Sequence, residues 1–210
     1  MQLLQQANGN MPRSEEQKKQ MIEEAAKHYG NFLKALGFDY TMDENSRNTP
    51  HRVAKAWVND IIRGCVSEKP KVSHFPAGEY NGIVFDGDID VISICSHHNL
   101  AFTGKAHVAY IPKPGEKVVG LSKLNRVVDW YSRRPQIQEG LTMQIHAELD
   151  GMIENEGIAV FIECKHQCCS NRGIGHKSTM QTAQFSGHFF SNEKGTKDEF
   201  YQMINNLQKK

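Results

Sequence analysis

The stretch IVFDGDIDVISICSHHNLAFTGKAHVAYI, residues 83–111, decides the fold of this chain. Val, Ile, Phe and Tyr are enriched in residues 83–95 and again in 101–111, and polar and apolar residues alternate in the second run. Both properties are typical of β-strands. We therefore predict two antiparallel strands, with the motif CSHH (95–98) at the turn that joins them.

Apolar residues at helical spacing precede this pair of strands. Ser14 and Gln17 match a capping box, and Gly37 is a typical helix end, so a first helix is predicted between them. A second helix is predicted from an N-cap at Thr49, followed by proline, to Gly64. The segment before the strands is therefore predicted to be helical.

Downstream of the strands, the pattern predicts two helices, two strands and one helix. The two helices carry apolar residues at 124–131 and 137–153. Strands are predicted at 158–166, where alternate residues share one face, and at about 179–189. Thr196 is predicted to cap the last helix. Helices and strands in this order predict an α+β protein.

Composition favours one soluble globular domain. The chain has 210 residues, of which 39% are hydrophobic and 23% are charged. No apolar run approaches the roughly 20 residues that cross a bilayer, and the start lacks the apolar core of a signal peptide. Residues 1–13 are polar, so they are predicted to be a flexible tail before one domain over 14–210. A net charge of +1 argues against a nucleic-acid partner.

The cysteines form an odd and unevenly spaced set. They are Cys65, Cys95, Cys164, Cys168 and Cys169. Such a set is typical of a reducing compartment, where thiols serve metal binding or chemistry instead of forming a disulfide framework. We therefore expect a cytoplasmic protein.

Two clusters of sulfur and imidazole groups indicate a metal site. One turn can present both Cys95 and His98 to an ion, and thiolate with imidazole is the donor set that zinc prefers. A downstream thiol closes the site, and spacing does not choose between Cys164, Cys168 and Cys169. Three protein ligands leave a fourth position open, as in catalytic zinc sites. The alternative is that these cysteines pack as small apolar residues.

His97 and His166 lie beside these two clusters in the sequence. Imidazole exchanges protons near neutral pH, so both are candidate acid–base groups next to a metal. Together with a metal site that has an open position, they indicate hydrolytic chemistry.

Basic residues at the edges of predicted elements indicate an anion site. Ser122 is a predicted N-cap, and Lys123 and Arg126 lie three positions apart on the exposed side of its helix. A helix N-terminus adds free amides and a positive dipole. The alternative is a solvated, charged surface; taken together, these residues favour a phosphorylated substrate. The other basic candidates are Arg52, Lys55 and Arg172.

Gln138 and Glu139 open the helix that follows Pro135. A carboxylate in a first turn often serves only the helix dipole. The functional alternative is that Glu139 accepts paired hydrogen bonds from the ring N–H and exocyclic amine of guanine. Such a site would reject adenine, because the carboxylate would lose both partners.

These segments together resemble the GTP cyclohydrolase I family. The resemblance runs from about residue 49 to 187, roughly two-thirds of the chain. Five motifs in this order are far more specific than any one of them. They are TPHRVAKAW (49–57), ICSHH (94–98), GLSKLNRVVDWYSRR (120–134), QIQEGLT (136–142) and CKHQCCSNRG (164–173).

The resemblance implies a tunnelling fold, in which antiparallel strands of neighbouring subunits join into a barrel and leave no free edges. It divides the chain into a helical part (14–66), a catalytic part (80–190) with two helices inserted between strand pairs, and a C-terminal helix (194–208). It also implies a homodecamer of two pentamers, with active sites at subunit interfaces.

The resemblance further implies a role for each metal and acid–base candidate. Cys95, His98 and Cys168 would hold Zn²⁺, while His97 and His166 would exchange protons. The implied reaction is hydrolysis of GTP at C8, release of formate and rearrangement to 7,8-dihydroneopterin triphosphate. This product feeds tetrahydrofolate and other pterins, or deazaguanine nucleosides.

The substrate-binding roles follow in the same way. Glu139, with Gln138, would hold the guanine of GTP. A larger set of residues would hold the triphosphate, partly across a subunit interface. They are Ser122, Lys123, Arg126 and Arg172, with Arg52 and Lys55 from the neighbouring chain.

The sequence departs from the family pattern near the metal motif. Ser96 replaces a glutamate, Ala101 replaces a proline, and residues 169–171 replace more apolar residues. Because the three ligands are intact, we expect an active but divergent enzyme. Two alternatives are a nitrile reductase of the same fold that acts on a deazapurine, and a zinc-containing nucleotide-binding homologue without turnover.

Overall fold

The computed structural model describes residues 2–207 and 209. Residues 1, 208 and 210 lie outside the described residues. They are the first residue of the predicted tail, the predicted end of the last helix and the predicted end of the domain. The chain divides into two compact units, Met1–Glu68 and Lys69–Lys210. Within the described residues, no helix is both long enough and apolar enough to cross a bilayer.

The first unit is helical. The predicted capping box is confirmed. The Ser14 hydroxyl accepts a hydrogen bond from the backbone amide of Gln17, and the Gln17 side chain accepts one from the backbone amide of Ser14. Ile22, Ala54 and Val58 form a small core between its helices. Its elements are α1 (Glu15–Ala35), α2 (Thr49–Ala56), a π-helical turn (Trp57–Ile61) and α3 (Arg63–Val66).

The prediction of one continuous helix from Thr49 to Gly64 is wrong. Asn48 occupies the N-cap, and α2 widens into the π-helical turn before α3. Apolar residues at 53, 57 and 61 recur every four positions. This spacing exceeds the α-helical period of about 3.6 residues, and a π-helical turn accommodates it.

The segment predicted as a flexible tail makes backbone hydrogen bonds near its end. The amides of Met11 and Arg13 donate to the carbonyls of Cys65 and Val66 at 2.8 and 2.9 Å. These bonds attach residues 11–13 to helix α3. The mobility of the earlier residues stays a prediction.

The second unit is built on a five-stranded sheet in the order β5-β2-β3-β6-β7. Neighbouring strands are antiparallel except β5 and β2, which are parallel. A separate antiparallel pair joins β1 to β4. The predicted strand pair is confirmed as β2 and β3. The strands are β1 (His74–Pro76), β2 (Val84–Cys95), β3 (Ala101–Pro112), β4 (Lys117–Val119), β5 (Pro135–Gln136), β6 (Asn155–His166) and β7 (Thr179–Phe185).

Helices cover both faces of the five-stranded sheet. Successive residues of β3 and β6 point to opposite faces of the sheet. Long runs of both strands are continuously buried, so both faces are covered. One face packs on α4 and α5 with Phe102, Val108 and Ile162 in its core, and the other packs on α7 and α8 with Phe161. This arrangement confirms the α+β class. The helices are α4 (Leu121–Ser132), α5 (Gln138–Met152), α6 (Gln167–Ser170), α7 (Gly187–Ser191) and α8 (Thr196–Leu207).

The last strand is shorter than predicted, and the last helix is capped differently. β7 ends at Phe185, not near 189, because the chain turns at Gly187. Gly187 has a φ of +52°, and a Cβ there would collide with the Glu156 carbonyl. Thr196 is already helical, and its hydroxyl donates to the His188 carbonyl at 2.8 Å, so its predicted role as a cap is wrong.

Candidate metal centre and active site

The turn between β2 and β3 is closed by backbone hydrogen bonds around Cys95. The Cys95 amide donates to the Leu100 carbonyl, and the Asn99 amide donates to the Cys95 carbonyl, both at 2.9 Å. Asn99 has a φ of +54°, a left-handed conformation that asparagine tolerates better than most residues. The turn therefore presents both Cys95 and His98 from one short loop.

Cys95, His98 and Cys168 bring three donor atoms together. Their two sulfurs and one imidazole nitrogen all lie within 4.8 Å of one another. Cys168 comes from α6, directly after β6, which pairs with β3 so that His166 lies opposite Phe102. Ligand atoms in a tetrahedral zinc site lie roughly 3.5 Å apart. The donor set and its spacing therefore fit a divalent ion with a fourth position open.

The structure distinguishes between the three downstream thiols. Cys168 belongs to the donor group, and burial together with the Cys95 thiol raises its pKa to about 11. Cys164 is buried in the core between the sheet and α4 and α5, and burial raises its pKa to about 12. Cys169 is exposed and lies outside the donor group. Among these thiols, Cys168 is the one placed to bind an ion with Cys95.

His166 is held at the end of β6 by a ring stack and a hydrogen bond. Its ring stacks on Phe102, with centroids 4.7 Å apart and an interplanar angle of 8°. Its Nε2 lies 2.8 Å from Oε1 of Gln138. The Gln138 Nε2 faces the carbonyls of Ile162 and Met180, which only accept, so Oε1 is the atom that faces the imidazole. A neutral His166 therefore carries its proton on Nε2 and keeps a lone pair on Nδ1.

Gln138 and Glu139 begin α5 in different surroundings. Gln138 is 1% exposed, and its amide is bonded within the protein. Glu139 is exposed. Burial lowers the pKa of His166, and the Glu139 carboxylate acts in the opposite direction. The structure favours Glu139 as the residue that faces a ligand and Gln138 as the support of His166.

His97 is an exposed imidazole beside the donor group. Its Nδ1 lies 3.8 Å from the Cys95 sulfur, and its ring meets that of His98 edge to face at 6.4 Å. It therefore stands next to two donor residues while remaining open to a ligand.

Arg172 contacts the donor group directly. Its Nη1 lies 2.9 Å from Nε2 of His98. A guanidinium has donors only, so the His98 nitrogen accepts this hydrogen bond. The contact places a positive charge at the exposed edge of the donor group.

The predicted phosphate-binding residues of α4 lie at the opposite end of β2 from Cys95. Asn125 of this helix donates to Asp86 at 2.5 Å, nine positions before Cys95 in the strand. Nine extended residues rise by roughly 30 Å, somewhat less where a bulge follows Asp86. No side chain spans that distance, so one subunit does not bring these residues to the donor group. They are Ser122, Lys123 and Arg126.

Ser122 does not cap α4, contrary to the prediction. Gly120 is the N-cap and the helix begins at Leu121, with no side-chain cap hydrogen bond. Ser122 and Arg126 are exposed and Lys123 is half-buried, so the predicted anion-binding surface remains accessible.

Two further phosphate candidates lie in the first unit. Arg52 and Lys55 are on α2, where Arg52 is exposed and its amide donates to the Asn48 carbonyl. Their roles in a site stay predictions.

A model of one protein family matches residues 25–205 of the chain, a range that includes all three donor residues. The family is described as GTP cyclohydrolase I. This chain belongs to the GTP cyclohydrolase I family.

Other members of the GTP cyclohydrolase I family are similar over nearly the whole chain. A GTP cyclohydrolase 1 of Flavobacterium johnsoniae is 42% identical over 186 residues, which cover 87% of this chain and 81% of that protein. Those of Aeromonas salmonicida and Vibrio parahaemolyticus are each 38% identical, over 88% and 89% of this chain and 83% and 84% of theirs. Among solved structures, an apo archaeosine synthase QueF-Like matches 49% of this chain and 92% of its own, at 18% identity and a TM-score of 0.38.

Sequence reasoning about this GTP cyclohydrolase I family member missed the surroundings of His166. Phe102 stacks on the imidazole, and Thr182 accepts from the Gln138 amide at 3.1 Å and lies 2.6 Å from the Thr142 hydroxyl. The strand parity of Phe102 was visible in the sequence, but its register opposite His166 was not, because register depends on how β3 and β6 pair.

Proposed function

We propose that this chain catalyses the zinc-dependent conversion of GTP to 7,8-dihydroneopterin triphosphate with release of formate. Membership of the GTP cyclohydrolase I family supports the reaction class. The observation that carries the proposal is the donor group of Cys95, His98 and Cys168, with an oriented imidazole two positions before Cys168. The product would supply tetrahydrofolate or another pterin, or a deazaguanine nucleoside.

The three donors would hold the zinc ion. Two sulfurs and one imidazole are a set that zinc prefers, and three protein ligands leave room for a reacting group. Zinc bound in such a site supplies Lewis-acid chemistry and a nucleophile at neutral pH. The five free thiols fit a reducing compartment such as the cytoplasm.

His166 would move a proton at Nδ1. Its Nε2–H is engaged by Gln138, so proton exchange with a ligand falls to the other nitrogen. Purine C8 is a poor electrophile, and protonation of the neighbouring N7 makes it a better one. A protonated His166 would donate from Nδ1 to N7 and would later recover a proton there.

His97 would serve as the second proton carrier. It is exposed and lies beside Cys95, so it can reach a ligand bound next to the donor group. We assign it, together with Ser122 of another copy of the chain, to opening of the ribose and to the rearrangement that closes the pterin ring.

Glu139 would recognise guanine. Its exposed carboxylate directly follows Gln138, the residue that contacts His166, and can accept from both the ring N–H and the exocyclic amine of the base. Gln138 contributes by holding the His166 ring in place beside the base.

The triphosphate would be bound by more than one subunit. Arg172 lies at the donor group, while the basic residues of α4 lie at the far end of β2. A complete site therefore needs α4 from another copy of the chain. This supports a ring-forming homo-oligomer of the tunnelling fold, which we propose to be a decamer of two pentamers, with Lys123, Arg126, Arg52 and Lys55 acting across interfaces.

The sheet edges support this assembly. β7 pairs only with β6 along Thr179–Phe185, and β2 pairs on its outer side with the two residues of β5. Within the described residues, the sheet thus ends in two edges with free backbone groups, which neighbouring subunits can cover.

The proposal is tested by incubating metal-analysed protein with GTP and measuring formate and a fluorescent pterin. Both products should form in equal amounts, and chelation should stop both. Tight GTP binding without formate would instead identify a non-catalytic nucleotide-binding homologue. NADPH consumption with a deazapurine nitrile, and none of the GTP products, would identify a nitrile reductase.

A further inference from the structure

The hydrogen bond between Arg172 and His98 joins an anion-binding candidate to a metal-ligand candidate. The Nη1 to Nε2 distance is 2.9 Å, and Arg172 is exposed, so its guanidinium is within reach of solvent ligands. In the same structure His98 belongs to the donor group with Cys95 and Cys168. One imidazole therefore contacts a guanidinium and also belongs to a group of donors that could hold a cation.

The valence of imidazole makes these two contacts mutually exclusive. Arg172 can only donate, so the lone pair of His98 Nε2 accepts its proton. A neutral imidazole has a single nitrogen with a free lone pair, so Nδ1 then carries the ring proton. Neither nitrogen can bind a cation while the Arg172 contact persists. Binding through Nε2 takes its lone pair, and binding through Nδ1 places a hydrogen on Nε2.

We propose that Arg172 is a positioning residue that couples the metal site to polyphosphate. It holds His98 when no anion is bound, and a polyphosphate draws the guanidinium away and releases the imidazole for the metal. The inference rests on the proposed metal site. Cation binding at His98 and anion binding at Arg172 therefore favour the same arrangement of side chains.

Charge acts in the same direction as the hydrogen bond. A guanidinium touching His98 repels a divalent cation in the donor group, and a polyphosphate neutralises that guanidinium. Coupling of this kind is reciprocal, so the metal must tighten polyphosphate binding by the same factor by which polyphosphate tightens metal binding. The site would thus load its metal best when a triphosphate-bearing ligand is present.

The test measures Zn²⁺ affinity of the full-length, metal-free protein with and without inorganic triphosphate. A chelator buffer fixes the free Zn²⁺ concentration, so zinc bound by triphosphate itself does not enter the result. Protein-bound zinc is measured after rapid gel filtration. We expect triphosphate to lower the zinc Kd by about fivefold or more, within the usual range of coupling.

Three variants separate the possible outcomes. Arg172→Gln should bind zinc more tightly than wild type without triphosphate and should not respond to it. Lys113→Gln removes a cation that pairs with Glu154 beyond the far end of β3, and should behave as wild type. A wild-type zinc Kd that ignores triphosphate overturns the coupling alone, provided Cys168→Ala abolishes zinc binding. Unchanged zinc binding in Cys168→Ala overturns the metal site and the coupling together.

Discussion

Gln138 accepts a hydrogen bond from Nε2 of His166 at 2.8 Å, and this contact decides which nitrogen of the imidazole faces a ligand. The oxygen and nitrogen of the Gln138 side-chain amide cannot exchange places, because the nitrogen donates to the carbonyls of Ile162 and Met180. The orientation of the proposed acid–base residue is thus fixed by the main chain of β6 and by the carbonyl of Met180 in β7, through one buried side chain.

Gln138→Met should lower kcat while the chain still folds. Methionine has a similar length but offers His166 no acceptor, and displacement of a catalytic group by about 1 Å can cost roughly 100-fold in rate. Two buried carbonyls also lose a donor, at about 1–3 kcal/mol of stability. Formate release and urea denaturation measure the two effects. Gln20→Met, the same substitution at an exposed position of α1, is the matched control; a Gln138→Met variant with full kcat would contradict the assigned role.

His166→Ala should abolish formate release without altering the assembly or the zinc content. The substitution removes the proposed proton carrier at Nδ1 and leaves the donors Cys95, His98 and Cys168 in place. General acid–base catalysis typically contributes about 10²–10⁴-fold. Turnover, elemental analysis and size-exclusion chromatography are measured together. His28→Ala, which removes an exposed imidazole paired with Glu24, is the control; undiminished turnover in His166→Ala would refute the role.

Cys168→Ala should lose its zinc after dialysis, whereas Cys169→Ala should keep it. The donor group contains the Cys168 sulfur, and the exposed neighbouring thiol lies outside it. A structural or catalytic zinc that loses one of three protein ligands is held far more weakly. Elemental analysis of both proteins decides the matter. Equal zinc content in the two variants would mean that the cluster is not the metal site.

Local patterns in the sequence predicted several elements of both units well. The β2–β3 pair, the capping box at Ser14 and the shared face of β6 all follow from short-range periodicity and side-chain chemistry. The candidate donors Cys95 and His98 could be identified for the same reason, since they are close in the sequence.

Features that depend on long-range pairing or on backbone strain could not be predicted. The choice of Cys168 over Cys164 needed the register of β3 against β6, and the burial of Gln138 needed the packing of α5 on the sheet. The early end of β7 depends on a close approach between Gly187 and Glu156, which no local pattern encodes. Spacing along the chain likewise did not indicate that Lys123, on α4, lies beside the start of β2, whereas Cys95 lies at the end of that strand.

Glu139→Gln should lose the preference for GTP over ITP. The carboxylate accepts from both guanine donors. An amide keeps one acceptor, and its NH₂ group would face the second guanine donor without forming a hydrogen bond. Because hydrogen bonds to charged groups contribute about 1.5–3 kcal/mol, kcat/KM for GTP should fall roughly 10- to 100-fold. ITP lacks the exocyclic amine and should be affected less.

The ratio of the two kcat/KM values tests the guanine contact apart from any general loss of activity. Glu154→Gln is the matched control, because Glu154 is exposed and pairs with Lys113 instead of facing the site. An unchanged GTP-to-ITP ratio in Glu139→Gln would exclude Glu139 as the base anchor.

The free energy of unfolding should fall as the pH drops below about 6.5, and His107 should be one cause. His107 is 1% exposed, and burial lowers its pKa. The carboxylates of Asp88 and Glu163 raise this pKa, but by less than burial lowers it. The Lys105 ammonium lowers it further. Its Nδ1 accepts from the Asp88 amide at 3.3 Å, and its ring stacks on Phe85. The folded protein thus holds this ring neutral to a lower pH than the unfolded chain, which protonates it near its ordinary pKa of about 6.5.

Below that pH the unfolded state binds more protons than the folded state, so stability is lost as the pH falls toward the depressed pKa of the folded protein. His146, whose pKa is also lowered by burial, adds to the same slope. In His107→Phe the ring stack persists but the proton-binding difference is gone. Urea denaturation from pH 7.5 to 5.5 should therefore give a shallower loss of stability in the variant, although its stability at pH 7.5 is lower because the Asp88 amide loses its acceptor. Parallel curves for the two proteins across this interval would show that His107 titrates alike in both states.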